Sequence, residues 1–242
     1  MSVSGRRVRA IFRKELREYR RTSSIVTAMV VFPLIFLIQP LVVTLILPAS
    51  TSAQLSQQHL LLYMLAIPAL VPAALAAYAV VGERQQGTLE PVLTTPIRRQ
   101  EFLFGKALAS LVPSVGISYV VYAFFLACVE LFAQQAMASA LLRGPDILAQ
   151  LLFTPLLAAW SIWVGIAISA RSNDPRVAQQ LGLLASLPSV AVTSLIAFNG
   201  IHATLGLALS LAAALTVLDT LGWRISSATL DREWLISGER YR

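Results

Sequence analysis

Charged residues and cysteines are both scarce in this 242-residue chain. Charged residues make up 13% of it and hydrophobic residues 57%, whereas an average soluble domain is about 25% charged. The single cysteine, Cys128, has no partner for an internal disulfide, and the chain contains no CxxC motif or Cys/His cluster that could hold a structural zinc. The composition therefore argues against a water-soluble domain, with or without a disulfide or structural zinc, and indicates a membrane protein.

Motifs that carry chemistry are also missing. The sequence contains no G-x-x-x-x-G-K-[ST] phosphate loop, no HExxH and no G-x-S-x-G, and its apolar segments hold no pair of carboxylates. The two histidines, His59 and His202, fall in different connections; a copper or other metal site is possible, but we favour two separate surface histidines. We therefore predict a chain without a catalytic, cofactor or metal site of its own.

Six apolar segments have the length that a membrane-spanning helix needs, about 20 residues for a hydrocarbon core of about 30 Å. We place them at residues 25–47, 60–81, 107–129, 147–170, 177–198 and 201–221. The sequence therefore predicts an all-α membrane protein with six transmembrane helices. Alanines in the second segment allow another helix to approach closely, either in a second chain or in ordinary packing within this one.

Basic and apolar residues alternate at helical spacing in residues 1–23, before the first span. The apolar side contains Val8, Ile11, Leu16 and Tyr19, and eight lysines and arginines lie between Arg6 and Arg21. This pattern is typical of an amphipathic helix in a membrane interface, with its apolar side toward the acyl chains and its arginines toward anionic headgroups. The alternative is a helix that is merely solvated on one side. We treat residues 1–23 as this helix and 24–242 as the six-helix domain.

All lysines and arginines except Arg143 fall on one side of the predicted membrane. Because basic residues are retained on the cytoplasmic face, both termini and the loop at residues 82–106 are predicted to be cytoplasmic in a cell membrane. This distribution between apolar segments does not suit a nucleic-acid surface, despite the net charge of +7. The spans themselves hold almost no ionisable groups, and Asp219, near the cytoplasmic end of the sixth span, is predicted to be a satisfied interfacial charge.

The polar stretch at residues 82–106 is the longest between two spans. Within it, residues 88–94 can form a short helix, which Thr95-Pro96 would end before the next helix leads into the third span. The stretch thus places a short charged helix below the membrane, where a cytoplasmic partner could push on it. The simpler interpretation of Glu83 and Arg84 is a local interfacial ion pair at the end of the second span.

This loop resembles that of the ABC-2 type permeases, the membrane subunits of ATP-binding-cassette exporters. The order of parts resembles the family over nearly the whole chain: a basic helix, six spans, this loop after the second span, and a charged tail at Asp231–Glu233. The specific motif covers about 25 residues, and its matching positions are Glu83, Arg84, Gly87, Thr88, Glu90, Leu93, Pro96, Arg99, Gly105 and Lys106. The connection at residues 199–202 is shorter than in some members, so no external binding site is transferred.

The resemblance implies that the N-terminal helix and this loop contact a separate nucleotide-binding subunit, which would bind ATP and Mg²⁺. The implied coupling residues are Arg13, Glu15, Glu83, Arg84, Gly87, Thr88 and Glu90. It further implies two permease chains, as a homodimer or heterodimer, around one export path. Span walls without midplane charge favour a hydrophobic or amphipathic cargo such as a drug or lipid. The competing hypothesis is a non-transport membrane scaffold or a secondary carrier.

Overall fold

A computed structural model describes residues 4–55, 58–85, 87 and 99–229. Within these ranges all regular structure is helical. The predicted short helix at residues 88–94, with Thr88 and Glu90, lies outside the described residues, as does the charged tail at Asp231–Glu233.

Besides two short helical turns at Ala49–Thr51 and Ser52–Leu55, the described chain contains eight longer helical segments. They are α1 (Gly5–Arg21), α2 (Ser23–Ile46), α3 (Leu60–Gln85), α4 (Arg99–Phe132), α5 (Gln135–Leu141), α6 (Gly144–Arg171), α7 (Pro175–Ala197) and α8 (Leu205–Thr229). All except α1 and α5 are long and apolar enough to cross a bilayer. The prediction of a six-span, all-α membrane protein is confirmed.

Two boundaries differ from the sequence prediction for local reasons. Helix α4 is already helical at Arg99, the first described residue after the loop and well before residue 107, where the third span was predicted to begin. Helix α8 begins at Leu205 and not at residue 201, since the chain first turns at Asn199, which has a left-handed φ of 59°. The Thr204 hydroxyl then accepts a hydrogen bond from the Leu207 N–H, 3.2 Å away, and caps the first turn of α8.

Helix α3 is the central element and is surrounded by α2, α4, α6 and α7. Its alanines meet glycines of two neighbouring helices. A Cβ added at Gly165 of α6 would lie 2.7 Å from the Cβ of Ala76, and one at Gly182 of α7 would lie 3.3 Å from the Ala73 carbonyl oxygen. Close approach of backbones through small residues is the usual way to pack membrane helices. The alanine side of the second span therefore packs within the chain.

Helix α1 is amphipathic as predicted, but its apolar side does not face acyl chains. Val8, Ile11 and Tyr19 are buried, and the helix packs mainly against the first turns of α4. The reason lies in α4, which extends beyond the predicted span and offers α1 a protein surface to cover. The basic side of α1 stays exposed.

Candidate functional site

The site is built where α1 crosses the first turns of α4. Glu101 of α4 is buried and accepts hydrogen bonds from the Ser4 backbone N–H at 2.8 Å and from Arg7 Nη1 at 3.2 Å. Farther along both helices, the hydroxyls of Tyr19 and Ser110 are 3.0 Å apart. Polar bonds at both ends of α1 therefore hold it against α4.

Between these two anchors lies a lysine–glutamate cluster, defined as Lys14, Glu15, Glu83 and Lys106. Lys106 Nζ lies 2.6 Å from Glu15 Oε1 and 3.0 Å from Glu83 Oε1. Lys14 donates a second hydrogen bond to Glu83. Lys106, Glu15 and Glu83 are 1%, 2% and 3% exposed, so the cluster joins α1, α3 and α4 in the protein interior.

Burial and charge pairing oppose each other within the cluster. Burial raises the pKa of Glu15 above its ordinary 4.5, although the neighbouring Lys106 ammonium acts to lower it. For Lys14, burial acts to lower the pKa, but the hydrogen bond and charge of Glu83 outweigh it, so the pKa is raised. Two ammonium groups thus balance two carboxylates. Removing Lys106 would leave Glu15 and Glu83 without their shared partner, and unpaired buried charges are costly.

Three carboxylates, those of Glu15, Glu18 and Glu83, converge within 4.8 Å of one another. The Lys14 ammonium lies against this set, 3.1 Å from Glu18 and 3.8 Å from Glu15, and it also bonds to Glu83. Because Lys14 already contacts all three, the arrangement is an ion-pair network that joins α1 to α3.

Arg84 follows Glu83 directly but binds a different helix. Its guanidinium donates to the Ala170 carbonyl at 3.3 Å, to the Ser172 carbonyl at 3.2 Å and to Asn173 Oδ1 at 3.4 Å. The last carbonyls of a helix have no intrahelical partner, so Arg84 satisfies acceptors at the end of α6. Glu83 and Arg84 connect α3 to different helices, which a local ion pair between them would not do.

Gly87 ends the described part of this connection. Its φ of 65° is left-handed, a conformation that glycine adopts without strain, and its N–H donates to the Arg84 carbonyl at 3.2 Å. This glycine of the motif therefore turns the chain away from α3. The loop that follows connects α3, which contains Glu83, to α4, which contains Lys106. The lysine–glutamate cluster therefore joins the two helices that flank the loop.

The exposed side of α1 is strongly basic. Arg13, one of the predicted site residues, is exposed there and lines a shallow groove with Lys14, Arg17 and Arg21. Such a surface attracts anionic groups by its summed field. Of the predicted site residues, the structure thus brings Glu15 and Glu83 together, places Arg84 and Gly87 beside them, and leaves Arg13 on the opposite side of α1.

Three further polar residues, His59, His202 and Asp219, do not belong to the lysine–glutamate cluster. His59 Nδ1 is 2.7 Å from Asp146 Oδ1, and His202 Nδ1 is 3.2 Å from Asn199 Oδ1, so the two histidines have different partners. Asp219 is not near the end of its helix as predicted, because α8 continues to Thr229. Within the described residues its buried Oδ1 has no hydrogen-bond partner, which is not the satisfied interfacial charge that we expected.

Among protein-family models, one described as "ABC-2 family transporter protein" matches residues 9–223, from within α1 to within α8. Comparison with curated proteins gave no match. The matched range includes the lysine–glutamate cluster and both ends of the loop between α3 and α4.

Proposed function

Because the chain belongs to the ABC-2 family of transporter proteins, we propose that it is the permease subunit of an ATP-driven exporter and that the lysine–glutamate cluster couples it to a separate ATPase. The family makes the chain a multi-pass transport subunit that generally works with an ABC ATPase. We further propose that the ATPase pushes on α1 and the loop, that this push moves α1, α3 and α4, and that the cargo is exported.

The bridge from Lys106 to both Glu15 and Glu83 carries the proposal. The ATPase would press on α1 and on the loop between α3 and α4. The buried ammonium of Lys106, on α4, bonds to Glu15 of α1 at 2.6 Å and to Glu83 of α3 at 3.0 Å. A displacement of α1 must therefore move α3 and α4 with it or break a buried ion pair, which costs several kcal/mol.

The proposal also includes the partners that the family resemblance implies and the orientation that the charge distribution predicts. ATP and Mg²⁺ would bind in the partner ATPase, and its acidic surface would meet the basic side of α1 that contains Arg13 and Arg17. Two permease chains would line one path across a cell membrane, with the loop and both termini cytoplasmic. The cargo would be hydrophobic or amphipathic, which suits span walls of low charge.

Co-purification from native membranes tests the proposal. The tagged full-length chain is purified in mild detergent and labelled with a photoreactive ATP analogue, and the labelled subunit is identified by mass spectrometry. Reversing two exposed charges, Arg13→Glu and Arg17→Glu, should reduce the co-purified ATPase about tenfold or more, because several like-signed contacts act together. The matched control is Arg176→Glu, which reverses an exposed charge at the start of α7.

Retention of the ATPase is expected in the control and its loss in the α1 variant. Two results would overturn the proposal: the wild-type chain carries no ATP-labelled subunit, or the α1 variant and the control retain equal amounts of it. The first result would favour the scaffold or the secondary carrier. The second would mean that α1 is not part of the contact.

A further inference from the structure

An apolar groove runs along the bundle between α7 and α8. The two helices share little direct packing, because α8 contacts mainly α6. The floor of the groove is formed by α6 and the start of α3, with Leu62, Phe153 and Leu157. We call this the lateral groove.

Two adjoining cavities make up the lateral groove. One has a volume of about 290 Å³ and reaches Trp160, Val192 and Leu218. The other, of about 480 Å³, reaches Leu205 and the rim of the bundle opposite α1. They share the lining residues Leu62, Phe153, Ile196 and Leu211, so they lie end to end along the bundle.

The lining of the groove changes along its length. Its deep part is apolar, and the Thr193 hydroxyl there already bonds to the Ser189 and Val190 carbonyls of its own helix. At the rim the lining includes His59 and Asp146, 2.7 Å apart. The surface is therefore amphipathic along the membrane normal, with the polar end where headgroups lie.

Such a groove can hold water, stay empty or hold a lipid acyl chain. An apolar cavity does not hold water, and an empty one would lose the dispersion contacts of its walls. Along α8 the groove extends from Leu205 to Leu218, about 20 Å at 1.5 Å per residue. That is somewhat longer than the ~15 Å of one leaflet in a hydrocarbon core of ~30 Å, so the groove accommodates the full length of one acyl chain.

We propose that the lateral groove is a lipid-binding site, which holds one acyl chain of a phospholipid from the leaflet opposite α1 with the headgroup at His59 and Asp146. This site needs only that the bundle lie in a bilayer. It is independent of the coupling role proposed above, and failure of one proposal leaves the other standing.

Lipid retention tests the site. The full-length chain is expressed in membranes, purified in mild detergent and weighed by native mass spectrometry. The double variant Val192→Phe with Leu215→Phe adds two rings to the groove walls, which should lower the retained phospholipid about tenfold, or about 1.4 kcal/mol. The matched control is Val120→Phe, which adds a ring to an exposed position of α4.

A second measurement leaves the groove unaltered. Trp160 lines it, so a variant that keeps this tryptophan alone is made with Trp163→Phe, Trp223→Phe and Trp234→Phe. It is reconstituted in phosphatidylcholine vesicles whose acyl chains carry bromine. Strong quenching of the Trp160 fluorescence, relative to vesicles without bromine, is expected.

The two measurements separate the possible occupants. Equal phospholipid retention in the groove variant and the control would overturn the proposal. An unquenched Trp160 would also overturn it, and a dimer that the groove variant abolishes would then identify a second copy of the chain as the occupant. Loss of lipid with an unchanged ATPase complex would support the lipid site alone.

Discussion

Ile11 of α1 packs directly against Gly105 of α4. A Cβ added at Gly105 would lie 2.7 Å from Ile11 Cγ2 and 2.8 Å from Ile11 Cβ, closer than non-bonded carbons approach. The next residue, Lys106, makes the buried bond to Glu15. The Gly-Lys pair at the end of the motif therefore has a physical role: the glycine makes room for α1 and the lysine holds it.

Replacing Gly105 with alanine should loosen α1. Overpacking of a tight contact costs about 1–3 kcal/mol, and here the strain falls on the interface with Ile11. We expect a lower unfolding midpoint in detergent and faster tryptic cleavage within α1. Adding Ile11→Ala to Gly105→Ala should recover part of the loss, because it removes the Cγ2 atom at 2.7 Å and leaves the Cβ atom as the remaining close contact.

The same helix offers a matched control. Gly116 has no atoms outside its own helix within 4 Å of an added Cβ, so Gly116→Ala should stabilise the chain by up to about 1 kcal/mol through helix propensity. If Gly105→Ala also stabilises the chain, α1 is not held by this contact.

The lysine–glutamate cluster should respond unequally to the loss of its members. Lys106→Met leaves the carboxylates of Glu15 and Glu83 buried without their shared partner, so we expect a loss of about 3–5 kcal/mol. Glu15→Gln keeps an oxygen that can accept from Lys106, and Glu83 remains to balance the charge, so its loss should be under about 1.5 kcal/mol. Thermal unfolding in detergent measures both; an equal loss would argue against Lys106 as the shared bridge.

The raised pKa of Glu15 predicts how stability depends on pH. The folded chain holds this proton more tightly than the unfolded chain, whose carboxyl has the ordinary pKa of 4.5. The stability that the proton contributes is therefore fully present below pH 4.5 and is lost as the pH rises through the folded-state value. Glu15→Gln, which cannot titrate, should therefore lose most stability relative to the wild type below pH 4.5 and less as the pH rises.

Unfolding midpoints of the wild type and Glu15→Gln, measured over a pH series, check this prediction. We expect the difference between the two midpoints to change with pH. A flat difference would mean that Glu15 is not desolvated.

The spans could be predicted from the sequence because membrane crossing depends on length and hydrophobicity, which each segment carries by itself. The buried charges were harder to find. In the sequence, Lys14 is one of eight basic residues before the first span, and Lys106 is a position of the motif. The sequence alone does not show that either lysine contacts Glu83, which lies 69 residues from Lys14 and 23 residues from Lys106 in the chain. Such pairing depends on how the helices dock.

One signal in the sequence does point to the cluster. Val8, Ile11, Glu15 and Tyr19 form the buried stripe of α1, so Glu15 is an acidic residue on an otherwise apolar side. A carboxylate in such a position needs a buried cation. The orientation of α1 against α4 could not be inferred in the same way, because both a membrane surface and a protein surface accept an apolar stripe.

Arg84 supplies a last prediction, on how firmly α3 is joined to α6. Lysine lacks the planar fork that reaches several acceptors, so Arg84→Lys should keep one contact and lose the others. Arg84→Ala should leave the Ala170 and Ser172 carbonyls without this donor, at a cost of about 1–3 kcal/mol.

Spin labels at Gln85 and Arg176, introduced after Cys128→Ser, would report the distance between the ends of α3 and α7, beside α6. We expect a broader distance distribution in Arg84→Ala and an intermediate one in Arg84→Lys. Arg171→Lys, the control, should show none of this broadening, because the Arg171 guanidinium donates to the Ala167 carbonyl of its own helix. An unchanged distribution in Arg84→Ala would show that the α3–α6 connection does not depend on this side chain.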